Sequence, residues 1–209
     1  KGIARTQDDL DNNAVQQGAN IGDCLYEDIS GPNGEPDGVI DAYDQTVLGS
    51  GLPKVNFGLS THMEYKGFDL NISTYGVLNY HVSDDIYNSL NSCYGYGNKE
   101  VGMLDANRWS EDGSTYLSNV PRTYAANNAT LGWNDLFSSR KIQNAAYWKI
   151  ANVELGYNFP DKWFGGYVSG VRLYVSAQNL YTFTGYKGYN VDYAGGTFTP
   201  GYNFCSFPS

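Results

Sequence analysis

Ala145-Ala-Tyr-Trp-Lys-Ile-Ala-Asn-Val-Glu-Leu-Gly-Tyr-Asn-Phe-Pro160, Asp161-Lys-Trp-Phe-Gly-Gly-Tyr-Val-Ser-Gly170 and Val171-Arg-Leu-Tyr-Val-Ser-Ala-Gln-Asn-Leu-Tyr-Thr-Phe-Thr184 decide how this chain folds. In the first run Tyr147, Ala151, Val153, Leu155, Tyr157 and Phe159 occupy odd positions and are apolar or aromatic, with Lys149 the exception. Asn152, Glu154, Gly156 and Asn158 fill the even positions, although Trp148 and Ile150 blur the pattern at its start. The third run repeats the scheme, with Val171, Leu173, Val175 and Ala177 on one side and Arg172, Tyr174, Ser176 and Gln178 on the other. Successive side chains of an extended chain point to opposite sides, so period-two alternation marks a strand with one apolar face. The Gly-rich segment between the runs makes them a β-hairpin over residues 145–184.

Strands of soluble domains usually run about five or six residues. These alternate for about 10 to 14, the span of a tilted bilayer crossing. Tyr157, Phe159, Tyr181 and Phe183 collect toward the strand ends, as in the aromatic girdles of a membrane barrel, where amphipathic rings sit at headgroup level. A large β-sandwich with one wet face satisfies the same spacing.

A second hairpin lies upstream. Val55, Phe57, Leu59, Thr61, Met63 and Tyr65 alternate with Asn56, Gly58, Ser60, His62 and Glu64. Lys66-Gly67 then reverses the chain into Phe68-Asp-Leu-Asn-Ile-Ser-Thr-Tyr-Gly-Val-Leu-Asn-Tyr80. There Phe68, Leu70, Ile72 and Thr74 point outward, and Asp69, Asn71, Ser73 and Tyr75 inward. Residues 81–144 show no sustained period and are rich in Asn, Ser, Gly and Tyr. So long a connection counts against a compact soluble domain and suits the long outer loops of a membrane barrel.

Arg140-Lys-Ile-Gln-Asn144 running into the central hairpin, the Tyr65-Lys-Gly-Phe-Asp-Leu70 turn and Gly185-Tyr-Lys-Gly-Tyr-Asn190 closely resemble the C-terminal barrel region of SusC/RagA-type TonB-dependent outer-membrane transporters. Asn107-Arg-Trp-Ser-Glu-Asp-Gly113 with Val120-Pro-Arg122 resembles a further block, without the proline that normally follows its acidic residue. Gly201-Tyr-Asn-Phe-Cys-Ser-Phe-Pro208 resembles the family's final outer block. The resemblance implies an all-β chain, an antiparallel transmembrane β-barrel segment covering residues 1–209 with the last strand missing. It divides into an outer segment with an acidic loop (1–54), a hairpin (55–80), a long outer loop (81–144), the central hairpin (145–184) and an outer segment (185–209).

Composition agrees. The 209 residues carry a formal charge of -9, which excludes the basic footprint of a nucleic-acid partner. Mean hydropathy is -0.45, as expected when half of each strand faces water, and no apolar run approaches the roughly 18 residues of a membrane helix. The opening Lys1-Gly-Ile-Ala-Arg-Thr-Gln-Asp-Asp-Leu10 lacks the apolar core of a signal peptide. That leaves a cytosolic protein or a piece of a longer precursor, and the resemblance implies the piece. Cys24, Cys93 and Cys205 have no metal or redox spacing; an oxidising compartment permits one bridge, which the sequence does not choose.

Asp37-Gly-Val-Ile-Asp-Ala-Tyr-Asp44 looks like the second half of a calcium loop, with Asp28 and Ser30 opening it. The stretch from Pro32 to Pro36 breaks the ligand spacing, and Asp44 reaches less far than the usual bidentate Glu. Asp28, Asp37, Asp41 and Asp44 are thus metal candidates, with an acidic turn-forming loop the better reading. Arg108, Arg122 and Arg140 read as loop staples in preference to ligand contacts, because guanidinium groups hold loop backbone by several hydrogen bonds.

The resemblance implies an importer of oligosaccharides or peptides in a Gram-negative outer membrane, partnered by a SusD-like surface lipoprotein and driven by TonB through parts outside this chain. Asn71, Ser73, Tyr75, Asn152, Glu154, Arg172, Tyr174 and Gln178 are the candidates for lining its lumen. No catalytic residues and no cofactor are expected beyond the calcium alternative, since His62 and His81 lack any paired-ligand or nucleophile spacing. The competing reading is a secreted β-sandwich that grips glycans through Tyr and Trp. Asn71-Ile-Ser73 and Asn128-Ala-Thr130 match a glycosylation sequon, a short match of little weight in a bacterial protein.

Overall fold

The computed structural model describes residues 1–93, 98–103, 108–111, 115–123, 132–166, 168, 170–188, 190–192 and 198–203. Cys205, the sequon at Asn128 and parts of the blocks at 107–113 and 201–208 lie outside these. Two compact units emerge: residues 1–48 with 85–141, and residues 49–84 with 142–209.

The second unit is built on the two hairpins. Strands β1 (Val55–Tyr65), β2 (Phe68–Leu78), β5 (Tyr147–Asn158) and β6 (Arg172–Thr184) form an antiparallel sheet in the order β1-β2-β5-β6. A smaller sheet orders β4 (Ile142–Asn144), β3 (His81–Asp84) and β7 (Tyr202–Asn203), with β3 and β7 parallel. Tyr65 pairs with Phe68 across the Lys66-Gly67 turn. Both turn residues have positive φ, 49° and 88°, the type I′ geometry whose twist matches the flanking strands.

Residues facing one another on neighbouring strands share a side of the sheet, so the register assigns both faces. Met63, Leu70, Leu155 and Val175 line up on one side, as do Thr61, Ile72, Val153 and Ala177. On the other side Glu64, Asp69, Gly156 and Tyr174 form one row, and Ser60, Ser73, Asn152 and Gln178 another.

One part of the expected pattern is corrected. Ser73 pairs with Asn152 and Thr74 with Ile150, leaving Ala151 as an extra residue. The same break recurs against β6, where Ile150 pairs with Tyr181 and Asn152 with Gln178. A bulge shifts side-chain parity by one. Tyr147 and Lys149 therefore join the polar side with Asn152 and Glu154, while Trp148 and Ile150 join Val153 and Leu155. The apparent exceptions at the start of the run are the other half of an unbroken pattern, and Tyr147 does not belong to the apolar face. On β6 the break is absorbed at Asn179, in the left-handed region at φ 51°, a conformation Asn adopts more readily than most residues.

Neither 1–21 nor 81–144 is structureless. Helix α1 (Gln7–Asp11) is closed by a capping box between Thr6 and Asp9, and α2 spans Asp85–Leu90. In the first unit Ile3, Ala4, Cys24, Ile40 and Trp109 are buried, with Trp109 against Gly22, where a Cβ would lie 2.6 Å from the indole. In the second unit the long-connection end of the sheet is closed by a core of Val77, Tyr80, Val82, Ala145, Tyr147, Tyr186 and Val191. Beside it, buried Asp84 accepts hydrogen bonds from the Tyr186 hydroxyl and, at 3.1 Å, from Asn203 Nδ2. Among the described residues no helix is long and apolar enough to cross a membrane.

Straightening the bulge with every residue kept would force Lys149 onto the apolar side, whereas deleting Ala151 leaves Ile150 opposite Thr74 and Lys149 opposite Tyr75 on the sides they now occupy. We therefore expect the deletion to keep the protease-resistant folded form, and Ala151→Gly, which keeps the residue count, to lower stability by about 0.5–1 kcal/mol, as read from the unfolding midpoint.

Candidate functional site

The polar side of the four-stranded sheet gathers most of its charge at the short-turn end. Asp69, buried on β2, accepts hydrogen bonds from Arg172 Nε at 3.1 Å and Arg172 Nη2 through its two oxygens, and from Asn158 Nδ2 at 3.0 Å. Arg172 Nη2 also donates to Glu154 Oε1 at 2.6 Å. A guanidinium suits this position because its planar fork serves two carboxylates at once. It lies across Gly156, where a Cβ would stand 2.6 Å from both Arg172 Nη2 and Asp69 Oδ1. Gly156 is thus the gap in the wall that lets the ion pair form.

Next to this network His62 bridges two partners on the same side, with Nδ1 2.6 Å from Asn71 Oδ1 and Nε2 2.9 Å from Glu64 Oε1. Ser60 and Ser73 hydroxyls meet at 3.3 Å. The Arg172 guanidinium stands 5.0 Å from the Tyr174 ring centroid, within cation–π range. Toward the other end Tyr75 meets Tyr147 edge-on, and Lys149 forms an ion pair with Asp192.

Of the eight lumen candidates, Asn71, Glu154, Arg172 and Tyr174 fall in or beside the ionic network. Ser73, Asn152 and Gln178 form one polar row in register, and Tyr75 belongs to the second cluster. Asp69, the hub, was legible as an inward residue and not as a site. The signal for it was its position opposite Gly156, a charge facing an empty side chain. Lys149 and Asp192 were hidden by the bulge.

In the first unit the four metal candidates act as backbone acceptors. Asp44 Oδ1 accepts from the Ile29 and Ser30 amides and its Oδ2 from the Asp41 amide. Asp41 accepts from Tyr43 N, Asp28 from Gly38 N at 2.7 Å, and Asp37 from Val39 N. Among the described residues no group of three or more His, Cys, Asp or Glu side chains is arranged to hold a metal ion.

The three arginines hold loops together. Arg122 grips buried Asp23 through Nε and Nη2 at 2.7 and 3.0 Å, and Asn134 Nδ2 adds a third bond to the same carboxylate. Arg140 Nη1 donates to the Cys24 sulfur, and buried Arg108 donates to the Pro121 carbonyl. Arg5, unremarked in the sequence, reaches the carbonyls of Tyr116, Leu117 and Ser118 and the side chain of Asn119. Cys24 and Cys93 are both buried free thiols; burial raises each above its ordinary range, Cys93 to about 11.

No protein-family model matches the chain. It is 30% identical over 165 residues to the TonB-dependent receptor P3 of Formosa agariphila, an alignment covering 78% of this chain and 15% of that protein. It is 26% identical over 176 residues to the TonB-dependent receptor SusC of Bacteroides thetaiotaomicron, covering 78% and 16%. The solved RagAB peptide transporter superposes on it with a TM-score of 0.59 at 25% identity, over 70% of this chain and 15% of that one. The chain belongs to the SusC/RagA-type TonB-dependent transporters. This is a family of transporters, not enzymes, and its members are outer-membrane proteins of Gram-negative bacteria. The chain spans less than a fifth of the length of these two curated relatives.

A side chain at position 156 must displace the guanidinium. Gly156→Leu is expected to lower the unfolding midpoint markedly, and to lower it much less in an Arg172→Ala background; equal losses in both backgrounds would refute the steric link. In the acidic loop the amide of Asp41, followed by that of Ile29, holds the Asp44 carboxyl below the ordinary carboxylate range. Its stabilisation is therefore complete above the unfolded value, about 4, and lost as pH falls through the lowered one. Amide exchange at Ile29, Ser30 and Asp41, corrected for intrinsic rates, should accelerate as pH is lowered below that point. Asp44→Asn should remove the dependence.

Proposed function

We propose that this chain is part of the wall of an outer-membrane barrel that imports bulky nutrients, oligosaccharides or peptides. In this reading a SusD-like surface lipoprotein acts as the lid, and TonB supplies energy through segments outside this chain. The observation that carries the reading is the exposed apolar side of the sheet. Leu155 is 51% exposed, Leu173 66% and Val175 74%, and the side they share runs unbroken across all four strands once the bulge is counted. A continuous apolar surface of this size is a contact surface for something, and in a relative of SusC that something is lipid.

The β-sandwich alternative requires a second layer over that side, and among the described residues the apolar side stays open. The polar side supports a hydrated lumen. Its ionic network occupies the end with short turns, which in outer-membrane barrels is the periplasmic end. Residues 81–144 and 185–209 then lie outside, where a lid and a substrate would first be met. Tyr174, exposed beside Arg172, and the Asn152–Gln178 row offer a ring face and amide groups suited to sugar or peptide. RagAB is a peptide transporter; for this chain, peptide and oligosaccharide are the two substrate classes proposed.

Adjacent residues near the middle of β5 separate the two sides. Val153→Arg in the full-length transporter should cost roughly 2–4 kcal/mol near the bilayer midplane and deplete the heat-modifiable folded band in outer membranes. Asn152→Arg should assemble normally. Equal tolerance of both substitutions would remove the lipid contact on which the reading rests.

A further inference from the structure

At the long-connection end the polar side of the sheet is covered. Val77 and Tyr147 are register partners on that side, two positions beyond Tyr75 and Lys149, yet each is only 9% exposed. Their chain neighbours on the apolar side, Leu78 and Trp148, are 46% and 43% exposed. The cover therefore lies over one side alone. Part of it is the stretch that follows β6, since Tyr186 and Val191 are buried in one cluster with Val77 and Tyr147.

That stretch is fastened at several points. The Tyr186 amide donates to Thr184 Oγ1 at 3.1 Å, and Thr184 Oγ1 donates to the Ala146 carbonyl at 2.9 Å. The Lys187 amide donates to Gln143 Oε1 at 3.0 Å, and the Tyr186 hydroxyl to buried Asp84. Gly188 passes so close that a Cβ there would stand 2.2 Å from the Tyr186 hydroxyl oxygen and 2.5 Å from Asp84 Oδ2. At the far end Asp192 forms an ion pair with Lys149, whose Nζ also stands 5.9 Å from the Tyr75 ring centroid. The Lys149 side chain is only 12% exposed. Salt screens such a pair little, and loss of either partner leaves a largely buried charge uncompensated.

We propose that residues 185–188 and 190–192 form a fixed ledge on the lumen side of the barrel wall, just inside its outer mouth, and that the Lys149–Asp192 pair positions it and so limits the size of solute reaching the Asn152–Gln178 row. The inference rests on the reading that the polar side lines a hydrated lumen, and it adds a selectivity element to that lumen. A layer of chain packed face to face on a sheet stands about 10 Å from it, so the ledge takes up depth that an extended peptide would itself need. Lys149 and Asp192 are positioning residues: they act through the ledge and not on the solute.

The test uses the full-length transporter in intact outer membranes, with Gln178→Cys as a reporter below the ledge. A small charged maleimide and a bulky polyethylene-glycol maleimide are added from outside, labelling of the parent is subtracted, and heat-modifiability confirms assembly. The small reagent is expected to react with the reporter and the bulky one to react far more slowly. Adding Lys149→Ala should raise the bulky reagent's rate several-fold and leave the small reagent's rate unchanged, whereas Lys149→Arg, which keeps the charge, should preserve the parent ratio. Asp192→Ala releases the ledge from the other side should Lys149→Ala fail to assemble. If the bulky reagent's rate is the same with and without the pair, the ledge is wrong and small-reagent labelling leaves the lumen standing. If even the small reagent reaches the reporter only after unfolding, the polar side is no lumen, and the ledge falls with that reading.

Discussion

A sheet with hydrocarbon on one side and carboxylates and a guanidinium on the other cannot be satisfied by one solvent. Every other feature of the second unit follows from keeping those two sides apart. Alternation does this automatically along a regular strand, because neighbouring side chains leave on opposite sides. It fails wherever the strand length and the required side disagree by one residue. β5 meets that problem at Ala151, and the bulge resolves it in both ladders at once: β2 absorbs nothing, while β6 gives up pairing around Asn179. The consequence is chemical. Lys149 is delivered to Asp192 and Tyr147 to a buried core instead of to the apolar side.

The polar side is organised by the opposite device, the removal of a side chain. Asp69 is buried and carries a full charge's worth of hydrogen-bonding demand, which Arg172 and Asn158 meet together. A buried carboxylate with one partner removed is costly, so the geometry that delivers the guanidinium matters more than the pair itself. That geometry is Gly156. Across the network three acidic groups, Glu64, Asp69 and Glu154, face one arginine and one histidine. The face is therefore acidic where it is most ordered, and it becomes more nearly neutral toward the Ser60–Ser73 and Asn152–Gln178 rows.

How much of this could be read from the chain depended on whether the relevant signal was local. β1, β2 and β6 were legible almost to the residue, since each carries a long alternation, broken on β6 only after Gln178, and the Lys66-Gly67 turn states its own geometry. The faces of β5 beyond Asn152 were equally plain. Its first residues were misassigned because a bulge has no composition of its own; only the misfit of Trp148, Lys149 and Ile150 recorded it, and a misfit can be read as noise. The site residues divide the same way. Inward parity identified the candidates, yet which of them meet is a matter of partners from strands far apart in sequence, 89 positions for Asn158 and Asp69 and 103 for Arg172 and Asp69. Helix α1, the pairing of β3 with β7 and the buried cluster at Asp84 left no periodic trace because each is only a few residues long.

The first unit poses a different physical problem. Its described residues make almost no ladder hydrogen bonds, so the backbone groups of its loops must find other partners or remain open to water. Arginine is the side chain best able to serve several carbonyls from one position, and Arg5 does so for three consecutive ones. Asp23 performs the complementary service, accepting from Arg122, Asn134 and the Asn20 amide while buried. Because this carboxylate is withdrawn from solvent, salt screens its pairing less than it would an exposed bridge. The acidic loop uses the same logic with shorter side chains, each Asp closing a turn by accepting from a nearby amide. Charge in this unit is thus spent on shape: loops without regular structure are held in one arrangement by groups that composition alone would have assigned to solvent.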